Sequence, residues 1–300
     1  MKCIFLYNPE SGRGKIRKKI PLIQTHLKRV YDEVIVCETH SAEDFMRKVD
    51  SSADVFDAII FSGGDGTFQN VLKALNGRKV ALGYLPSGTV NDVARSLGIP
   101  RKLKGALKVI EHGALRDVDC LKVGDGYAMY LVAAGAFTSC SYSTPRRAKK
   151  KFGSLAYALY GLKHSMHFEV FSVSVECGGE KKETPAVLVF VLNGRSVAGF
   201  LTNKKASMTD GLLEVAVIKQ AKKPNFFQRI GAYFSVAGLL LFGTERRRKN
   251  IVFLRGEKVT IQTEEGVVWD YDGEKGASGN LEAEILRGGV RIFVPKNKKI

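Results

Sequence analysis

The stretch that most constrains this chain is AIIFSGGDGTFQNVLKAL, from Ala58 to Leu75. A short apolar run able to form a buried strand leads directly into Gly63, Gly64, Asp65, Gly66 and Thr67, and residues at helical spacing follow. The pattern predicts a strand, a tight polar turn and a helix. Glycines let the backbone approach a ligand closely, and the N–H groups of the following helix attract negative charge, so a phosphate is expected at the turn. Asp65 refines that expectation. A carboxylate beside phosphates repels them unless Mg2+, a ribose hydroxyl or an amine lies between, which suits a nucleotide carrying a divalent ion better than a bare anion. A surface turn capped by Asp65 or Thr67 is the alternative.

Two further turns of the same kind stand at regular intervals. Cys3 to Tyr7 reads as a strand, followed by Asn8, Pro9, Glu10, Ser11, Gly12, Arg13, Gly14 and Lys15, then by a helix carrying Ile16, Ile20, Ile23 and Leu27. Val80 to Leu85 is another apolar run, ending in PSGTVNDVARSLGI, where Ser87, Gly88 and Thr89 form the turn and Asn91 or Asp92 is placed to cap or bind. Neither GxxxxGK[ST] nor GxGxxG occurs at these turns, so they are neither a Walker A loop nor a dinucleotide fingerprint. Strands that each end in a polar loop feeding a helix predict an open parallel α/β sheet, whose ligands lie beyond the carboxyl ends of the strands.

From about Tyr127 the pattern changes to short alternating or apolar runs separated by glycine or charged turns, which predicts a largely antiparallel second domain. Three hundred residues suit two cores. The expected division is 1–126 for the α/β domain, rejoined by a returning segment 288–300, and 127–287 for the β-rich domain. Two helices interrupt the second half, Ser154 to His164 and Phe226 to Phe242. The latter, FFQRIGAYFSVAGLLLF, is bracketed by basic residues; it suits either contact with an anionic membrane surface or packing on the second sheet.

Lys and Arg number 47 against 30 Asp and Glu, a formal charge of +17 that favours polyanionic surfaces without choosing among nucleic acid, anionic lipid and a phosphorylated substrate. The five cysteines are scattered without metal-ligand spacing, which argues against a disulfide framework and a zinc site. With no run long enough to span a bilayer and no signal-peptide pattern, the expected setting is cytoplasmic.

Taken together, NPESGRGK at Asn8, SGGDGTFQNV at Ser62, LPSGTVNDVAR at Leu85, NGRSVAGF at Asn193, ASMTDGLLEVAVI at Ala206 and DYDGE at Asp270 resemble the diacylglycerol kinase catalytic-domain family, whose nucleotide half is similar to the NAD kinases. The resemblance covers essentially the whole chain. It implies an N-terminal open parallel α/β sheet, NAD kinase-like, and a C-terminal β-rich, sandwich-like domain, with ATP and Mg2+ as cofactors. Nucleotide positions carried over are Asn8, Pro9, Glu10, Ser11, Gly12, Thr39, Ser62, Gly63, Gly64, Asp65, Gly66, Thr67, Phe68 and Thr89. Glu274 or Asp272 corresponds to the general base, Asp210 with the carbonyls of Ser207 and Leu212 to a structural Mg2+ or Ca2+ site, and Asp119 to the catalytic magnesium network. Asp272 and Glu274 are two apart, so on a strand they would face the same way, with Glu274 favoured as base.

The implied activity is phosphorylation of a lipid hydroxyl at the inner membrane face, diacylglycerol to phosphatidic acid, by a peripherally bound protein, and a homodimer follows from the resemblance alone. The stretch SVAGFLTNKKAS departs from the glycine-rich segment of bacterial relatives, so the acceptor is not inherited with the motifs. Alternatives are a sphingoid, polyprenol or soluble-metabolite kinase such as one acting on NAD, and an anionic-surface or nucleic-acid binding protein. No recognition helix or RNP-type sheet supports specific nucleic-acid binding.

Overall fold

The computed structural model describes residues 1–10, 16–135, 169–197, 199–200, 202–203, 206–243 and 249–297. Ser11 and Gly12, the basic run from Arg146, the expected helix from Ser154 to His164 and Arg246 to Arg248 lie outside the described residues. The chain divides into two compact units, Met1–Cys120 with Arg287–Ile300, and Leu121–Leu286.

In the first unit, β1 (Lys2–Tyr7) lies between β2 (Glu33–Glu38) and β3 (Ala58–Gly63), and β4 (Ala81–Pro86) continues beyond β3; all four run parallel. Every residue of β3 is buried, as a strand covered on both faces requires. Helix α1 (Ile20–Leu27) packs against α5 (Leu103–His112), while α2 (Ala42–Ser52) packs against α3 (Asp65–Leu75). Right-handed crossovers explain this pairing: the chain leaves β1 toward β2, then returns past β1 to β3 and on to β4 in one direction, so α1 falls on one face and α2 and α3 together on the other. The Ser41 side chain caps α2 by accepting the Asp44 N–H at 3.1 Å. Beneath the glycine turn an aromatic cluster fills the core, with Phe61 stacked on Tyr84 at 5.2 Å and Phe68 edge-on to both.

The second unit is antiparallel throughout its described pairings. β9 (Glu180–Leu192) pairs with β8 (Phe171–Cys177), β7 (Leu131–Gly135) and β10 (Leu213–Lys219). β11 (Ile251–Gly256) adds to β10, and β12 (Lys258–Thr263) adds to β8. β13 (Val268–Tyr271) joins β7 to β14 (Glu274–Ser278). The shared core is mainly valine, leucine and alanine around the fully buried Trp269, whose indole N–H donates to the Gly279 carbonyl at 2.7 Å. Helix α6 (Phe226–Phe242) packs on β10, and its first turn carries a reciprocal capping box between Asn225 and Gln228.

The last strand runs across the expected boundary between 287 and 288. β15 (Leu281–Val294) is continuous over 14 residues, pairing with β12 at its start and parallel to β4 at Ile292. A glycine pair sits inside it, with Gly288 at φ +56 donating its N–H to the buried Asp119 carboxylate at 2.7 Å. Asp119 stands on β5 (Ala114–Val123), so its carboxylate meets β15 at the irregularity.

Candidate nucleotide and phosphoryl-transfer site

The strand order in the first unit creates a switch point between β1 and β3, where the following loops leave toward opposite faces. Ligands of open α/β sheets bind in that crevice, and two of the three expected loops start there. Asn8 closes the loop after β1 by accepting the Glu10 N–H at 2.8 Å. Thr39 lies beside it, buried, with its N–H on the Tyr7 carbonyl at 2.8 Å.

The loops after β3 and β4 are built against each other. The Ser87 N–H donates to the Gly63 carbonyl at 2.8 Å, and the hydroxyls of Ser62 and Ser87 meet at 3.2 Å. A Cβ placed on Gly88 would come within 2.6 Å of the Gly64 Cα and 2.7 Å of Asn91 Oδ1, so these backbones approach as closely as only glycines allow. Asn91, left-handed at φ 56, ties the second loop together: its Oδ1 accepts from the Gly88 N–H at 2.9 Å and its Nδ2 donates to the Gly88 carbonyl at 2.8 Å. Asparagine tolerates that backbone region better than most residues, a signal the sequence carried in the ND dipeptide. Arg101 also braces this loop, donating to the Thr89 carbonyl at 2.7 Å.

Asp65 and Phe68 both engage partners within the protein. The Asp65 carboxylate accepts the Val93 N–H at 3.0 Å, at the start of the short helix α4 (Asp92–Ser96). Burial pushes its pKa above the ordinary aspartate value, while the backbone donors of residues 91 to 93 oppose that rise. It thus links two ligand loops. Phe68 is fully buried in the aromatic cluster and its N–H donates to the Gly64 carbonyl at 3.0 Å, so it supports the turn from below. Gly63, Gly64, Gly66 and Thr67 are the part of the motif left at the mouth of the turn.

In the second unit, DYDGE folds as a two-residue hairpin turn between β13 and β14, with Tyr271 paired to Glu274 and both central residues at positive φ, Asp272 at 53 and Gly273 at 96. Asp-Gly at such positions is the signature of a type I′ turn. Asp272 and Glu274 therefore do not share a strand face. Asp272 is buried, and its carboxylate accepts the N–H groups of Met129, Tyr130 and Leu131, the latter two at 3.0 Å. Asn193 holds the other side of the same segment, its Nδ2 donating to the Met129 carbonyl at 2.8 Å. Glu274 is exposed, one residue beyond the turn. Of the pair, it is the carboxylate exposed at the surface.

The expected structural cation meets an arginine. Asp210 Oδ1 accepts the Leu212 N–H at 3.1 Å and Oδ2 is paired with the Arg255 guanidinium at 2.7 Å, while the Ser207 hydroxyl meets Thr209 Oγ1 at 3.0 Å. Among the described residues no group of three His, Cys, Asp or Glu side chains is placed to hold a metal ion. The Asp210 carboxylate caps the turn into β10 and is paired with Arg255. Glu214 adjoins them, accepting from Asn203 Nδ2 at 3.0 Å, and burial pushes its carboxyl up to about 7 against the opposing pull of Arg255. Its folded pKa exceeds its unfolded value, so the stability it contributes is complete below the ordinary glutamate value of 4.5 and is lost as pH rises through about 7. Glu214→Gln is therefore expected to flatten the fall in stability between pH 5 and 8, by on the order of 2 kcal/mol in chemical denaturation at the alkaline end.

The chain combines an α/β unit, whose glycine turns after β3 and β4 pack against each other, with an antiparallel β-rich unit. The chain belongs to the diacylglycerol kinase catalytic-domain family: residues 2–123 match the diacylglycerol kinase catalytic domain, and residues 131–294 match the YegS C-terminal NAD kinase beta sandwich-like domain. It is 30% identical to the diacylglycerol kinase of Bacillus subtilis (strain 168), covering 98% of this chain and 96% of that protein. It is 26% identical to the diacylglycerol kinase of Staphylococcus aureus (strain MRSA252), over 97% and 92%. A crystal structure of a diacylglycerol kinase from Bacillus anthracis str. Sterne shares the fold at a TM-score of 0.81 and 24% identity, covering 98% of this chain and 96% of that one.

Proposed function

We propose that this protein transfers the γ-phosphoryl group of ATP to the hydroxyl of diacylglycerol, forming phosphatidic acid and ADP at the inner face of the membrane. The observation that carries the reading is the convergence of the turns after β3 and β4 near the β1–β3 switch point, with Gly64 and Gly88 in direct backbone contact. Family membership and the relatives named diacylglycerol kinases support the acceptor class.

Phosphoryl transfer relies on positioning and charge neutralisation more than on covalent chemistry by the protein. In the proposed mechanism the backbone of Gly63, Gly64 and Gly66, with Asn8 to Gly12, Thr39, Ser62, Thr67 and Thr89 around it, holds the nucleotide. Asp65 keeps two of the loops in register. The divalent ion travels with ATP and offsets the charge of its phosphates. Glu274 accepts the proton of the acceptor hydroxyl as that oxygen bonds to the γ-phosphorus and the bond to the β-phosphate oxygen breaks. Asp272 fixes the hairpin that presents Glu274, and Asp119 holds β15.

A competition assay tests the acceptor. With labelled ATP, the protein is offered diacylglycerol, a sphingoid base, a polyprenol and NAD together, and the products are separated by phase and chromatography. Label is expected in phosphatidic acid; label confined to phosphorylated NAD would replace the lipid reading with a soluble-metabolite kinase.

A further inference from the structure

Helix α6 buries one side, with Ala232, Val236 and Leu239 no more than 2% exposed, so the opposite side of a surface helix is expected to be polar. It is instead apolar. Phe227 is 79% exposed, Phe234 66% and Ile230 38%, and with the 3.6-residue repeat these three fall on one face, within an arc of roughly 60°. Gly231 lies between them on the same face, with open space where a side chain would stand. The capping box and the bond from Gln220 Nε2 to the Gln228 carbonyl at 2.9 Å fix the first turn to the end of β10, so the face is presented by an anchored helix.

Charge identifies the occupant. Lys222 and Lys223 are exposed just before the helix, and Lys249 is exposed beyond it, after the sequence Arg246, Arg247 and Arg248. Aromatic residues on one helix face with cations at both ends match the two attractions of an anionic bilayer: apolar burial at the acyl boundary and basic side chains among the headgroups. The helix has 17 residues, and among the described residues no helix is long and apolar enough to cross a membrane, so it would lie in the surface plane. A second copy of this chain would set the same lysines against each other. We propose that the Phe227, Ile230 and Phe234 face of α6 is the membrane-docking surface, inserting into anionic lipid with Lys222 and Lys223 on the headgroups. The choice of a bilayer as occupant rests on the lipid-kinase reading.

The full-length protein is mixed with vesicles of phosphatidylcholine alone or with about one-third phosphatidylglycerol, and the bound fraction is read by flotation. Binding is expected for the anionic vesicles and should weaken with salt. The double variant Phe227→Ser, Phe234→Ser is expected to lose roughly tenfold or more of that partitioning. Its phosphorylation of a short-chain, water-soluble diacylglycerol should be unchanged, which also reports that the variant is folded. In Phe234→Trp the new indole should shift to shorter emission wavelength on anionic vesicles, above a constant background from the buried Trp269. Undiminished vesicle binding by the double variant, an unshifted tryptophan, or a dimer lost on substitution with vesicle binding retained would each overturn the proposal. Wild-type binding that depends on these residues, in a protein that phosphorylates no lipid, would keep the docking surface and remove the kinase reading instead.

Discussion

Glu274→Gln is expected to slow lipid phosphorylation by roughly 10²–10⁴-fold, the range a positioned general base contributes. Glutamine keeps the size of the side chain and removes its capacity to take the acceptor proton. Because Glu274 is exposed and lies outside the loops proposed to hold ATP, nucleotide affinity should change little and the folded structure should persist. A loss of turnover without loss of ATP binding is therefore the expected pattern, measured by initial rates beside equilibrium dialysis of ATP. Unchanged turnover would remove Glu274 from the chemistry.

Asp272→Ala is expected to act on folding first. Three backbone N–H groups converge on this buried carboxylate, and removing it leaves them without that acceptor. At about 1–3 kcal/mol for each buried group left unsatisfied, the loss is expected to reach at least ~3 kcal/mol, a large share of a domain's stability. Alanine also suits the left-handed backbone at φ 53 poorly, whereas asparagine tolerates it and retains one acceptor oxygen. Asp272→Asn should accordingly fall between alanine and the wild type in denaturant midpoint. Equal stability of all three would contradict an anchoring role, and a pure loss of turnover in Asp272→Asn with unchanged stability would return Asp272 to the chemistry.

The parallel half of the fold was legible because each of its elements is specified locally. A buried strand such as β3 shows as an unbroken apolar run, a turn shows as glycine and serine, and Ser41 announces its helix by capping it. The span of α6 followed from its sequence for the same reason. The side-chain partners that the sequence did not show lie far apart in the chain. Asp65 meets Val93 across 28 positions, and Asp272 meets Tyr130 across 142, distances at which the sequence records a carboxylate but not its donors. β14 escaped notice because EKGAS is polar and largely exposed, although the Asp-Gly pair before it is a strong hairpin signal.

The site shows the same division. The glycine turn after β3 pointed to a phosphate by its composition, and the loop packed against it adds a constraint invisible in either motif alone: Gly64 and Gly88 must both lack side chains for the two backbones to meet. The acidic residues were legible as important but not as to role. Asp65, Asp119 and Asp272 each accept backbone N–H groups and Asp210 is paired with Arg255, while Glu10 and Glu274 are the exposed carboxylates among the six expected at the site.

The central claim is tested most directly by following the label of γ-labelled ATP into diacylglycerol presented on anionic vesicles, with wild type and Glu274→Gln side by side. The account predicts labelled phosphatidic acid from the wild type and a rate lower by orders of magnitude from the variant. Protein that binds ATP yet places no label in any organic-phase product would contradict it.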